Sequence, residues 1–257
     1  MLDLPSSEAQ IFVSGWITDL DTTHYVRVFW TNGFDDDRAY QGVSGAEVFI
    51  QSDQFERFDL DEVSPGIYAT DRDTFMAKTG QSYELNIQYQ DMIIKSSLET
   101  VLPVAQLDNL QILELNTIDR GSVDGSFQNF YLRGVITDIK QERNFFRWKI
   151  MVNGIERNRP EELILFDDQF TNGNIFPFEA DNVLFAESDS VELWHMSLSQ
   201  RAYDYFSQLK SLTTNETFGP SIQPAQLKGN LIVEGTGEVV LGYFGASQVN
   251  VLEVQRP

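Results

Sequence analysis

The segment Val43–Thr70, VSGAEVFIQSDQFERFDLDEVSPGIYAT, alternates apolar and polar residues, breaks at Ser52-Asp53 and turns again at Pro65-Gly66. A period of two with short polar interruptions predicts β-hairpins that follow one another, each half-buried. The same period extends through the first hundred residues. It predicts strands over 11–19, 25–31, 45–51, 56–60, 66–70 and 82–90, six or seven in all before Pro103. That number and spacing suits one immunoglobulin-like or transthyretin-like β-sandwich. Thr100–Leu110 reads as a connector, because Pro103 interrupts any ladder.

The second half predicts strands at 111–116, 129–139, 145–152 and 189–196, and three more at 229–234, 238–244 and 248–254. Asn153-Gly154 and Asn172-Gly173 are compact-turn signals. The period changes to 3.6 only over Ser197–Leu212. There Ala202, Tyr205, Phe206 and Leu209 share a face and Ser199 is the expected N-cap. The expectation is an all-β chain of two sandwich-like modules, 1–103 and 104–257, with one helix near 197–212 in the second. Val13–Asp19 and Leu132–Asp138 share a Gly-x-Ile-Thr-Asp core, an echo too short to carry a functional meaning.

Composition narrows the chemistry. Aromatic residues make up 12% of the 257 positions, enough to fill real cores. There is no cysteine, which excludes disulfides, thiolate catalysis and cysteine-ligated metals. A formal charge of −21 repels phosphate, so nucleic acid is not an expected partner. No apolar run reaches the ~18 residues of a membrane span. The polar lead MLDLPSSEAQ enters a strand at once, and Met1 reads as a start that replaces a removed leader.

Catalytic groups are scarce. His24 and His195 are the two histidines, one in a turn and one between Trp194 and Met196, and each reads as structural or exposed. Nucleophile-elbow, zincin, phosphate-loop and dinucleotide motifs do not occur. With 39 acidic residues, a carboxylate pair carries no specificity. The chain therefore reads as non-enzymatic.

Two weaker signals remain. Asp168–Glu179 partly matches a twelve-residue calcium loop, with Asp168, Asn172 and Glu179 at ligand positions and Gly173 at the turn. Phe170 fills a ligand position and Pro177 is awkward there, and a hairpin loop explains the same residues. Asp35–Asp37 reads as a solvated loop. The segment 133–159 holds Arg133, Lys140, Arg143, Arg147, Lys149, Arg157 and Arg159 against three acids, net +4. Alternation puts Arg147 and Lys149 on one strand face and Phe146, Trp148 and Ile150 on the other. Arg133, Lys140, Arg143, Arg147 and Lys149 could dock an acidic partner or anionic headgroups. Cross-strand pairing with neighbouring acids would produce the same pattern. Trp16, Trp30, Trp148 and Trp194 sit in core-like strand patterns.

The succession VSGWITD, VSGAEVFI, SPGIYATD, YELNIQY, KGNLI and VVLGYFGAS resembles the domain-of-unknown-function 4249 family, outer-membrane lipoproteins of Bacteroidota. Gly15, Gly45, Ala46, Gly66, Tyr68, Gly229, Asn230, Gly242, Tyr243 and Phe244 carry it, across almost the whole chain. The resemblance implies a lipid-anchored protein of the outer membrane, attached through a cysteine that this chain lacks, and working beside a TonB-dependent transporter or a larger envelope complex. It implies no activity and no catalytic residues. The first half also resembles the carboxypeptidase-regulatory and transthyretin-like modules of that system. Asp21-Thr22-Thr23 and Asp189-Ser190-Val191 are similar to the O-glycosylation tripeptides of these bacteria. Three functions follow as expectations: a transporter accessory that makes its partner contact through the second module, a surface protein that captures a glycan, peptide or metal chelate in an aromatic pocket, or a calcium-stabilised adhesion module.

Overall fold

A computed structural model of the chain describes residues 9–31, 40–115, 128–137, 139, 143–169, 173–214 and 227–254. Nine short strands come first: β1 (Ile11–Thr18), β2 (Tyr25–Trp30), β3 (Gln41–Gly42), β4 (Glu47–Ser52), β5 (Arg57–Ser64), β6 (Ile67–Thr70), β7 (Ser82–Tyr89), β8 (Met92–Ser96) and β9 (Glu99–Thr100). Then come β10 (Gln106–Glu114), β11 (Gln128–Thr137), β12 (Phe145–Val152), β13 (Ile155–Glu156), β14 (Ile164–Asp167), β15 (Ile175–Ala186) and β16 (Val191–Leu198). Helix α1 (Gln200–Thr213) and the strands β17 (Leu231–Val233), β18 (Val239–Ser247) and β19 (Val249–Val254) close the described chain. It is mostly β with a single α-helix among the described residues.

The chain divides into two units, Met1–Leu102 with Ala225–Ser247, and Pro103–Pro224 with Gln248–Pro257. This differs from the contiguous boundary expected at 103/104. The strands β17 and β18 return to the first unit because β17 pairs with β8 and β18 runs parallel to β1. Hydrophobic alternation marks a strand but does not name its partner.

The first unit is a closed barrel and not the expected sandwich. The pairings run β1-β18-β17-β8-β7-β4-β5-β6-β2, and β2 pairs with β1 to complete a ring of nine. A ring with an odd number of strands cannot alternate direction throughout. One parallel pair is required, and β1–β18 supplies it. Closure removes the open edges that a sandwich leaves. Val13, Ile17, Val28, Ile50, Leu85, Ile87 and Phe244 point inward and fill the barrel with side chains.

The second unit is a sandwich of two sheets, β10-β11-β15 and β13-β12-β16-β19, with β14 on β12. Their inner faces share one core of Leu132, Ile136, Phe146, Trp148, Ile150, Phe185 and Leu193. Trp148 meets Phe178 edge-on at 4.6 Å. Two expectations shift here. The connector Thr100–Leu110 contains the first half of β10, whose Leu107 is buried. The stretch read as a loop through Glu179 becomes strand β15 from Ile175 onward.

Helix α1 forms where the 3.6 period predicts it. The Ser199 Oγ accepts the Ala202 N–H at 3.1 Å, which satisfies one of the orphan donors of the first turn. The outer face of β12 lies beneath it: Phe145 packs on Tyr203 at 5.0 Å, and the Arg147 guanidinium sits over the Phe206 ring at 4.8 Å. Lys210, in the last turn, donates to the Leu163 carbonyl.

Candidate functional site

The residues that carry the family resemblance fall into two groups in the first unit, and their geometry is structural. Gly229 and Gly242 touch across the sheet so closely that a Cβ on Gly229 would overlap the Gly242 carbonyl oxygen. A Cβ on Gly242 would strike the Val13 carbonyl, and its φ of +104° disfavours any other residue. Asn230 uses that approach. Its Nδ2 donates to the Phe244 carbonyl at 2.7 Å and its Oδ1 accepts the Phe244 N–H at 3.0 Å. The Glu99 carboxylate, buried to 2% exposure, accepts from Asn230 Nδ2 and from the Tyr243 hydroxyl at 2.8 Å. A buried carboxylate tolerates this position because donors surround it.

A second knot serves the turn that opened the sequence reading. The Tyr68 hydroxyl donates to the Val43 carbonyl at 2.7 Å and accepts the Ala46 N–H. Glu62 accepts from the Gly45 and Gly66 amides, which lowers its pKa together with the Ser44 hydroxyl.

Both histidines are buried in the same structural manner. The His24 Nε2 accepts the Thr18 N–H at 2.9 Å, and the His195 Nδ1 accepts the Trp148 indole N–H at 2.9 Å. An acceptor nitrogen means a neutral ring. Burial lowers each pKa from 6.5 to about 4. Neither ring is positioned as a solvent-facing base.

Five residues of the basic strip, Arg133, Arg143, Arg147, Lys149 and Arg157, form ion pairs. Arg133 meets Glu179 at 3.5 Å on the facing strand, and Arg143 meets Asp167 at 2.9 Å. The Asn153-Gly154 turn brings β13 back along β12, and Glu156 bridges Arg147 at 3.1 Å and Lys149 at 2.9 Å. Lys140 lies outside the described residues. Such pairs contribute about 0–1 kcal/mol each where they are exposed. Arg147 is the exception: burial depresses its pKa against the pull of Glu156, and its Nε–H has no hydrogen-bond partner.

Of the three calcium positions, Asp168 and Glu179 lie among the described residues. Asp168 is fully buried, with Oδ2 accepting from Asn144 Nδ2 at 3.2 Å and Oδ1 without a hydrogen-bond partner. Glu179 lies within β15 and faces Arg133. Asn172 and Asp35–Asp37 lie outside the described residues. Among the described residues no group of three or more His, Cys, Asp or Glu is placed to hold a metal ion.

Sequence reasoning missed the hollow on the outer face of the barrel. Phe12 and Phe29 pair across β1 and β2, opposite in facing to the inward Val13 and Val28. With Trp30, Thr31, Tyr40 and Arg27 they line an open cavity of about 390 Å³. Tyr40 is 69% exposed, and Trp30 leans on Tyr89 at 6.4 Å. The signal was the apolar residue at the polar phase of each strand, Phe12 and Phe29. The second unit has a smaller cavity, of about 260 Å³, between α1 and the segment 157–163. No helix among the described residues is long and apolar enough to cross a membrane.

No curated protein matches the chain. The family model described as Domain of unknown function (DUF4249) matches residues 1–253, and the chain belongs to that family.

Proposed function

We propose that the chain is a non-enzymatic accessory subunit of a TonB-dependent outer-membrane transporter or of a larger envelope complex, anchored by an N-terminal lipid. The observation that carries this reading is the hollow of Phe12, Phe29, Trp30, Tyr40 and Arg27. Aromatic residues and arginine are the side chains enriched at the energetic centres of protein interfaces, and here Phe12, Phe29, Tyr40 and Arg27 line an open hollow with Trp30, which also packs against the barrel core. The groups that could have served catalysis are tied into the scaffold. In the strip at 133–159, the contact expected in the second unit, Arg133, Arg143, Arg147 and Lys149 are already engaged in ion pairs, so the reading favours a contact in the first unit. Affinity purification of the lipidated protein from its own envelope tests the proposal. A transporter barrel recovered in near-equal amount supports it, and recovery of the protein alone contradicts it.

The same hollow favours a second reading, capture of a glycan, peptide or metal chelate for the transporter. Its volume of about 390 Å³ falls within the ~300–1,000 Å³ typical of ligand sites. Titration with glycans, peptides and metal chelates, followed by Trp30 fluorescence, separates the readings. A saturable change supports capture, and a flat response across all three classes removes it.

A further inference from the structure

The cavity in the second unit has a different chemistry. Its lining brings together Arg147, Arg157 and Arg159, the acid Glu162, and the apolar Leu163, Phe206 and Leu209. Three guanidinium groups converge on one small hollow in a chain of net charge −21. Two of the three are already compensated. Arg147 pairs with Glu156, and Arg157 meets Glu162 at 3.6 Å. Arg159 is exposed; its backbone N–H donates to Glu162 Oε2 at 3.1 Å, while among the described residues its guanidinium forms no ion pair. The site therefore keeps one guanidinium outside any ion pair, beside apolar side chains. At about 260 Å³ it is smaller than the ~300 Å³ lower bound of ordinary ligand pockets, so it suits the end group of a longer molecule.

We propose that this cavity binds a monocarboxylate that bears an apolar substituent, such as the C-terminal end of a peptide with an apolar last residue. The planar fork of Arg159 takes the carboxylate in a charge-assisted pair, with Arg157 alongside. The apolar substituent lies against Phe206 and Leu209. A phosphate dianion would bring twice the charge of a carboxylate against the Glu162 carboxylate in the same lining. The site belongs to the second unit, so it stands or falls independently of the hollow in the first.

The test is calorimetric titration of the full chain with N-acetyl-L-phenylalanine and with its neutral amide, at physiological salt. The acid is expected to bind at least about tenfold more tightly than the amide. Arg159→Gln is expected to erase that difference without altering the fold, because Arg159 is exposed and its guanidinium forms no ion pair among the described residues. Arg159→Lys keeps the charge without the fork and is expected to retain part of the difference. Equal binding of acid and amide, no binding of the acid at millimolar concentration, or an unchanged preference in Arg159→Gln would overturn the proposal. A stronger response to inorganic phosphate than to the acid would also overturn it.

Discussion

Asn230 holds the backbone of Phe244 from both sides, donating to its carbonyl at 2.7 Å and accepting its amide at 3.0 Å. This amide clamp joins the turn before β17 to the middle of β18, where β18 also runs parallel to β1. Asn230→Ala leaves both Phe244 groups and part of the Glu99 carboxylate without partners in a buried site. It is expected to lower the unfolding free energy by about 2–4 kcal/mol. Urea denaturation measures this, with the midpoint falling and the slope unchanged.

The histidines set an acid limit on stability. In the folded state His24 and His195 take up a proton only near pH 4, whereas the unfolded chain does so near 6.5. Between those values the unfolded state holds more protons. Stability is therefore fully present above about pH 6.5 and is lost as pH falls toward 4, by roughly 3 kcal/mol per histidine at most. One histidine sits in each unit, so both units should weaken. NMR titration of the ring protons checks the cause: neither ring should titrate above about pH 5.

Much of this architecture was legible locally. The helix was readable to within three residues, because Ser199 and the spacing of Ala202, Tyr205, Phe206 and Leu209 are local signals. The strand faces of 145–152 were also readable, and Phe146, Trp148 and Ile150 are buried as the alternation requires. The barrel was not readable. Its closure depends on the parallel pairing of β1 with β18, residues more than two hundred positions apart. The basic strip was visible as charge, but the pairing of Arg133, Arg147 and Lys149 with Glu179 and Glu156 depends on register, which alternation leaves open. The outer hollow appeared only as two apolar residues out of phase.

The cap at Ser199 gives a test confined to the second unit. Ser199→Ala removes the acceptor for the Ala202 amide. A loss of about 1 kcal/mol is expected. Faster hydrogen exchange at Ala202 should accompany it, with exchange in the β1–β18 ladder unchanged.

Calcium addition tests the adhesion reading. Glu179 is held by Arg133, and β15 begins before it, so millimolar calcium is expected to leave the melting temperature where an equal ionic strength of sodium chloride puts it. A calcium-specific rise, abolished by Asp168→Asn, would restore Asp168, Asn172 and Glu179 as a site.

The proposed contact surface is tested most directly by photo-crosslinking in the native envelope. A benzophenone amino acid at Tyr40, on the rim of the hollow, is compared with the same group at Ile155, equally exposed in the second unit. An adduct with a transporter barrel or another envelope subunit at position 40 and none at 155 is the expected result. No adduct at position 40, or equal adducts at both positions, would contradict a partner bound through the aromatic hollow.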